Sequence, residues 1–386
     1  MMYRSLLSAG LSIVRALPLR KTVVFVTLVL IFVNSIDAVA DNQRLSWKQC
    51  LNQSSDFYAT DEAVRIADNL LLYQREVGGW PKNTDMAIIL AGQEKAELLK
   101  ARKNADSTID NGATYTQMRY LAKVYNATSL QRFADAFAKT VDYLLKAQYP
   151  NGGWPQFYPL KRKGSYSNHI TFNDGAMVGV LTLLKDITDR KPDYRFVDEQ
   201  KREKLRHAFR RGIECILKTQ LVVKGIKTAW CQQYDSKTLK PAEARSYEKV
   251  SICASESAGI VRLLITIDSP NSKLIDAIQS AVVWLDRSRL TGIRIVRKPD
   301  DSSKGYDKIV VEDPDAPPVW ARFYEIDTNK PIFCGRDGIV KYTLAEIEQE
   351  RRTGYSWYGN GPEALLTKYY PAWQKKWVPD LNVLEQ

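Results

Sequence analysis

A phrase that recurs at almost constant spacing constrains this chain more than any other feature. Gln74 to Pro81 reads Gln-Arg-Glu-Val-Gly-Gly-Trp-Pro, and Gln148 to Pro155 reads Gln-Tyr-Pro-Asn-Gly-Gly-Trp-Pro. A looser third copy runs from Thr219-Gln220 to Ala229-Trp230. Trp80, Trp154 and Trp230 lie 74 and 76 residues apart. Self-similarity at a fixed period sets the architecture before local propensity does. Each period has room for two helices and a loop. Three such units fit a closed ring of helical hairpins better than an open solenoid. A ring of this kind places a cleft at one mouth, lined by the loops between helices.

Helical periodicity supports this reading. Thr60 can cap a helix with Asp61 and Glu62 in its first turn and Val64, Ala67 and Leu71 on its apolar stripe. A second helix follows Asp110, carrying Tyr115, Met118, Leu121, Ala122 and Tyr125, and a third carries Leu130, Phe133, Phe137, Val141 and Leu144. The pattern returns after Asp174, then around Phe209, Ile213 and Ile216, then from Glu256 through Ile275 to Leu285. Beyond about residue 290 the texture changes. Ile293 to Val296 and Ile309 to Val311 are expected as short strands, and Gly335-Arg336-Asp337-Gly338 as a hairpin turn between Ile332-Phe333 and Ile339-Val340. This tail is expected to pack on the ring within a single domain, residues 41–386.

Residues 1–40 read as a secretory signal peptide. Arg15, Arg20 and Lys21 precede an apolar run from Val23 to Val33, and Ala38-Val39-Ala40 offers small residues for cleavage. A secreted or periplasmic location follows. The 386-residue chain carries a net charge of +12, about +9 without the leader. A basic secreted protein calls for an anionic partner. No run of Lys and Arg interleaved with aromatics marks a nucleic-acid groove. With two histidines, His169 and His207, a histidine-based triad or multi-histidine metal site is disfavoured. Five cysteines lack zinc-type spacing, and a Cys231–Cys253 bridge is left open by spacing alone.

Acidic residues stand at the starts of the inner helices: Asp110-Asn111, Asn173-Asp174 and Glu256. Asp110 and Asp174 are expected within reach of a common ion or sugar. Simple N-capping is the alternative, since Asp and Asn favour that position. Oxygen ligands without histidine favour a hard cation, calcium above all. The tryptophans admit two readings, core packing or an aromatic platform. Lys82-Asn83, directly after Trp80-Pro81, would suit an anionic sugar held beside such a platform. Arg245, Arg322 and Arg336 sit among aromatics, and guanidinium forks match carboxylates.

These stretches resemble the pectate lyases of polysaccharide lyase family 10. The matching segments are residues 78–83, 108–118, 149–158, 170–177, 230–248 and 320–342, within a resemblance spanning about 45–380. The resemblance implies an all-α-dominated (α/α)3 toroid, with short β-hairpins in its C-terminal part. It further implies calcium dependence and β-elimination of polygalacturonate by a monomer. Arg336 would abstract the C5 proton, and Arg322 and Arg245 would contact uronate carboxylates. Lys82, Asn83, Trp80 and Tyr355 would bind substrate, and Asp110, Asn111 and Asp174 would hold calcium. Gly112 departs from the pattern, where a larger residue is expected. An arginine base has an ordinary pKa above ~12, so an alkaline optimum would follow. Two other readings use the same residues: a glycoside hydrolase on an α/α ring with Asp110 and Asp174 as acid and base, and a non-catalytic acidic-polysaccharide-binding protein.

Overall fold

The computed structural model describes residues 45–385, so the expected leader lies outside the described residues. Trp47–Gln386 form one compact unit. Its helices include α1 (Trp47–Cys50), α2 (Asp61–Tyr73), α3 (Gly92–Ala101), α4 (Tyr115–Thr128) and α5 (Gln131–Ala147). They continue with α6 (Ala176–Thr188), α7 (Glu199–Thr219), α8 (Ala254–Leu264), α9 (Ser272–Arg287), α10 (Gln349–Gly354) and α11 (Tyr370–Trp377). The hairpins are α4–α5, α6–α7 and α8–α9. Helices α4, α6 and α8 pack side by side as an inner row, and α2, α5, α7 and α9 pack as an outer row. The fold is an (α/α)3 toroid. Among the described residues no helix is long and apolar enough to cross a membrane.

Three of the four outer helices start on side-chain caps, and α5 does not. Thr60 accepts from the Ala63 N–H at 3.2 Å, Asp198 from Lys201 at 2.8 Å and Asn271 from Leu274 at 3.0 Å. They end on the repeated phrase. The Gln74 side-chain amide donates to the carbonyls of Gly78 and Ala136, both at 3.0 Å. Gln148 does the same to Gly152 (3.0 Å) and Ala208 (2.9 Å), and Gln220 to Thr228 (2.8 Å) and Ala277 (2.9 Å). Each glutamine therefore fastens the end of one outer helix to the next.

Each tryptophan then turns back on the helix it follows. The Trp80 indole donates to the Leu70 carbonyl (2.8 Å), Trp154 to Leu144 (2.9 Å) and Trp230 to Ile216 (2.8 Å). The Leu70 carbonyl also accepts the Gln74 backbone N–H (2.9 Å) and the Ile216 carbonyl the Thr219 hydroxyl (3.1 Å), so at these two helix ends the indole adds a second bond. All three indoles are fully buried. The expectation that Trp80 binds substrate is corrected on that ground, because a ring with no exposed face cannot stack on a sugar. The first glycine of the phrase is required by its backbone. Gly78 and Gly152 have φ of 107° and 94°, and a Cβ at Gly78 would lie 2.7 Å from the Lys139 carbonyl oxygen.

The third copy is four residues longer because a small hairpin, Val222–Val223 with Ile226–Lys227, replaces the tight turn. A fourth copy went unread in the sequence. Trp320 donates its indole N–H to the Leu285 carbonyl at 2.7 Å, after an inserted hairpin of Ile293–Pro299 and Tyr306–Glu312. Phe333–Cys334 pairs with Val340–Lys341 around the Arg336 turn, as expected. Helices α3, α10 and α11 were not anticipated. All five cysteines are buried and free, so Cys231 and Cys253 are unbridged.

Replacing Gln148 by Ala strands the buried Gly152 carbonyl and removes the tie to Ala208 in the next outer helix. The expected cost is about 2 kcal/mol, read as a lower urea midpoint with unchanged helix content by circular dichroism; an unchanged midpoint would remove the glutamine from the fastening role.

Candidate active site

The site grows out of the same register. The backbone N–H of Thr108 donates to the Trp80 carbonyl (3.0 Å), Thr171 to Trp154 (3.1 Å) and Cys253 to Trp230 (2.8 Å). Two residues later stand Asp110 and Asn173, both buried. Next come Asn111 (φ 51°) and Asp174 (φ 49°), both exposed and left-handed. Asn and Asp tolerate that backbone better than other side-chain-bearing residues. The two turns pack against each other at the head of the inner helices. Neither carboxylate caps a helix: α4 and α6 begin at Thr114 and Gly175 without a side-chain cap bond. Capping therefore does not explain the acidic doublets. At Gly112, with φ 81°, a larger residue would have room but a strained backbone.

A second set of side chains meets them from the position two residues after each tryptophan: Lys82, Gln156, Gln232 and Arg322. The Lys82 ammonium and the Gln156 amide both donate to Asp110 Oδ2, at 2.5 and 2.7 Å. One Arg322 nitrogen, Nη2, reaches Asn173 Oδ1 (3.0 Å), Asp174 Oδ1 (3.1 Å) and Glu256 Oε1 (2.9 Å). Burial works against the Arg322 charge, but Glu256, Tyr355 and Asp174 outweigh it and hold the guanidinium above its ordinary value. Gln232 is buried with neither amide atom partnered, and Asp110 Oδ1 and Glu256 Oε2 are buried without a partner within the protein. Lys82 lies over Phe157 at 5.6 Å, so the aromatic beside it is Phe157 and not Trp80. Asn83 accepts from the Asn111 amide at 2.9 Å.

A wall of alternating arginine and tyrosine continues from Arg322. Tyr355 lies 4.8 Å from the Arg322 guanidinium and donates its hydroxyl to Glu248 Oε1 at 2.7 Å. Arg245 grips both oxygens of the same carboxylate and lies 4.8 Å from Tyr247. Burial alone would raise the Glu248 carboxyl; hydrogen bonds from Arg245 and Tyr355 hold it below the usual range. Arg336, 60% exposed, lies 5.7 Å from the other side of this chain at Tyr247. It shares Glu350 with Arg351, and these two bonds hold the Glu350 carboxyl down to about 2. The path Arg336–Tyr247–Arg245–Tyr355–Arg322 thus joins four of the expected residues to Asp174. Like Lys82 on Asp110, each arginine of this path is ion-paired with a carboxylate: Arg245 with Glu248, Arg322 with Asp174 and Glu256, and Arg336 with Glu350.

Gln156, Gln232, Glu248, Glu256 and Glu350 were not assigned to the site from sequence. A signal existed for two of the tryptophan-plus-two residues. Trp230, Tyr234, Thr238 and Lys240-Pro241 recur at the same spacing as Trp320, Tyr324, Thr328 and Lys330-Pro331, which aligns Gln232 with Arg322. Cys231 and Ala321 donate their backbone N–H groups to Tyr234 and Tyr324 at 2.7 and 2.9 Å, so the repeat is structural as well.

Residues 74–366 match the family model for pectic acid lyase. No curated protein matches the chain. Two solved structures of a family 10 polysaccharide lyase from Cellvibrio cellulosa are 34% identical to it. One, with a TM-score of 0.71, covers 82% of this chain and 94% of its own. The other is a mutant in complex with trigalacturonic acid, with a TM-score of 0.70 and coverage of 80% and 92%.

Two measurements probe this geometry. Gln232→Leu removes an unpartnered buried amide, and thermal unfolding should show a gain of about 1 kcal/mol; a loss would mean that the amide is satisfied. Glu248 has a lowered folded pKa, so its stabilisation is present above the unfolded carboxyl value of ~4.3 and is lost as pH falls through the folded value. Unfolding free energy measured from pH 2 to 6 should fall less steeply on the acid side in Glu248→Gln than in the parent; parallel profiles would contradict it.

Proposed function

The chain belongs to the pectic acid lyase family, polysaccharide lyase family 10, and is a polysaccharide lyase; from that premise we propose that it cleaves polygalacturonate (α-1,4-galacturonan) by calcium-assisted β-elimination, giving 4,5-unsaturated oligogalacturonides. The observation that carries this reading is the arginine–tyrosine path ending at Asp174 and Glu256, with Lys82 on Asp110 beside it. A polymer with one carboxylate per sugar matches such a row of cations.

The donor set fits calcium. Asp110 Oδ1 is buried and unpartnered, and Asp174 and Asn111 are exposed beside it with hard oxygen donors. Among the described residues no group of three His, Cys, Asp or Glu gathers to hold a metal, so a substrate carboxylate would complete the coordination. Held by these residues, calcium would supply positive charge beside the substrate carboxylate, favouring loss of the C5 proton. Arg322 and Arg245 orient uronate carboxylates and add to that charge. Lys82, Asn83 and Tyr355 line the approach. Arg336, in its neutral form, takes the C5 proton. The C–H electron pair becomes the C4=C5 double bond, and the C4–O4 pair leaves with O4, which is reprotonated from solvent. An arginine base is favoured at alkaline pH, so the rate rises on that side.

Hydrolysis by Asp110 and Asp174 is the weaker reading. Each carboxylate is engaged by a cation, Lys82 or Arg322, which suits an ionised oxygen and not a proton-donating acid. We place the enzyme outside the cytoplasm, secreted or periplasmic, on the strength of the expected leader, and as a monomer without a nucleic-acid partner, since no Lys/Arg run interleaved with aromatics marks a nucleic-acid groove.

The test follows the ultraviolet absorbance of the unsaturated product on polygalacturonate. Activity should vanish with chelator, rise toward alkaline pH, and fall about 10³-fold in Arg336→Ala. New reducing ends that survive chelation would establish hydrolysis instead.

A further inference from the structure

The inserted hairpin, Ile293–Pro299 with Tyr306–Glu312, plays no part in the chemistry above, yet it carries a charge arrangement that calls for a ligand. Its register sets Arg297 directly opposite Lys308. Like charges facing each other across an antiparallel ladder repel. Among the described residues neither has an ion-pair partner: Arg297 lies over the Tyr306 ring at 4.7 Å, and Lys308 donates to the Tyr355 carbonyl at 3.2 Å. Burial, Arg297 and Lys304 all push the Lys308 ammonium below its ordinary value, as expected for a cation whose charge is uncompensated.

Both residues line a groove of about 440 Å³, the size of a ligand pocket. Arg294 and Arg352 also line it, but Asp313 and Asp307 already neutralise them. Its single acidic lining residue, Glu363, accepts from Asn360 at 3.3 Å. Pro317, Pro318 and Tyr358 give it an apolar side. The segment after Tyr355 links the groove to the catalytic cleft. Tyr355 carries its hydroxyl to Glu248 and its carbonyl to Lys308, and Tyr358, three residues on, lines the groove.

We propose that this groove is a second binding site for the acidic sugar chain, outside the catalytic cleft. A uronate carboxylate bridges Arg297 and Lys308, relieving their repulsion, and the pyranose ring lies on Pro317, Pro318 and Tyr358. The inference rests on the uronate-polymer reading of the cleft. A chain held at both places dissociates more slowly than one held at either, because the second contact forms at high effective concentration. The site therefore favours long polymer over short oligomers.

Calorimetric titration of the Arg336→Ala protein with trigalacturonate in calcium should give two molecules per chain. Adding Arg297→Glu and Lys308→Glu should leave one. In otherwise intact enzyme the same pair should raise KM for long polygalacturonate about tenfold, with kcat and KM on trigalacturonate unchanged. Lys308→Met, which removes the like-charge pair without reversing it, should remain folded and show the same direction of change. One molecule per chain in both titrations, or an unchanged KM on polymer, would overturn the site. Dextran sulfate binding in the groove as tightly as trigalacturonate would also overturn it, as a general anion patch. Two titrated sites with no unsaturated product would sink the lyase reading of the cleft and leave the groove standing; elimination with a single titrated site would do the reverse.

Discussion

Four buried indoles hold this ring in register. Each donates its one N–H to a carbonyl near the end of the preceding outer helix. A tryptophan is large enough to span the gap between helix end and inner row, and its single donor leaves one way to sit there. The chain after it is then aimed at the mouth of the ring. That is why the residues two places on, Lys82, Gln156 and Arg322, reach the acidic turns of the inner helices, although 240 residues separate the first from the last. The glutamines complete the frame by joining consecutive outer helices through buried carbonyls.

The mouth built this way departs from what stability alone would favour. Buried polar atoms without partners cost about 1–3 kcal/mol each, and Asp110, Gln232 and Glu256 all keep such atoms. Two inner-helix entries hold non-glycine residues in the left-handed region instead of taking a side-chain cap. Three of the four outer helices show the ordinary caps. Some of the chain's left-handed residues and unpartnered buried polar atoms thus lie at the mouth, while others lie elsewhere in the ring.

Much of the frame was legible in sequence because it rests on short-range rules. Apolar stripes at helical spacing marked the inner and outer helices to within a few residues, and Asp337-Gly338 marked the turn that carries Arg336. The repeated Gly-Gly-Trp-Pro was visible, but its purpose was not. A tryptophan beside a lysine looks the same in sequence whether the ring faces solvent or core, and only packing placed Trp80 inside and Phe157 beneath Lys82. Helix α3 escaped notice because it buries no residue, so its sequence lacks the apolar stripe that reveals the others. The fourth repeat escaped because the inserted hairpin separates Trp320 from its helix by 35 residues instead of ten.

The sequence by itself determined the period, the presence of the hairpin helices, the basic charge and the residue types gathered near the inner-helix starts, since each depends on neighbours a few positions away or on composition. Tertiary structure alone decided which members of those groups meet. Arg322 and Asp174 are 148 residues apart and share a bond at 3.1 Å; Arg297 and Lys308 oppose each other through strand register; and Glu350 is shared between Arg336 and Arg351. Contacts of this kind are set by how helix ends and loops converge in three dimensions, which no local rule of the chain encodes.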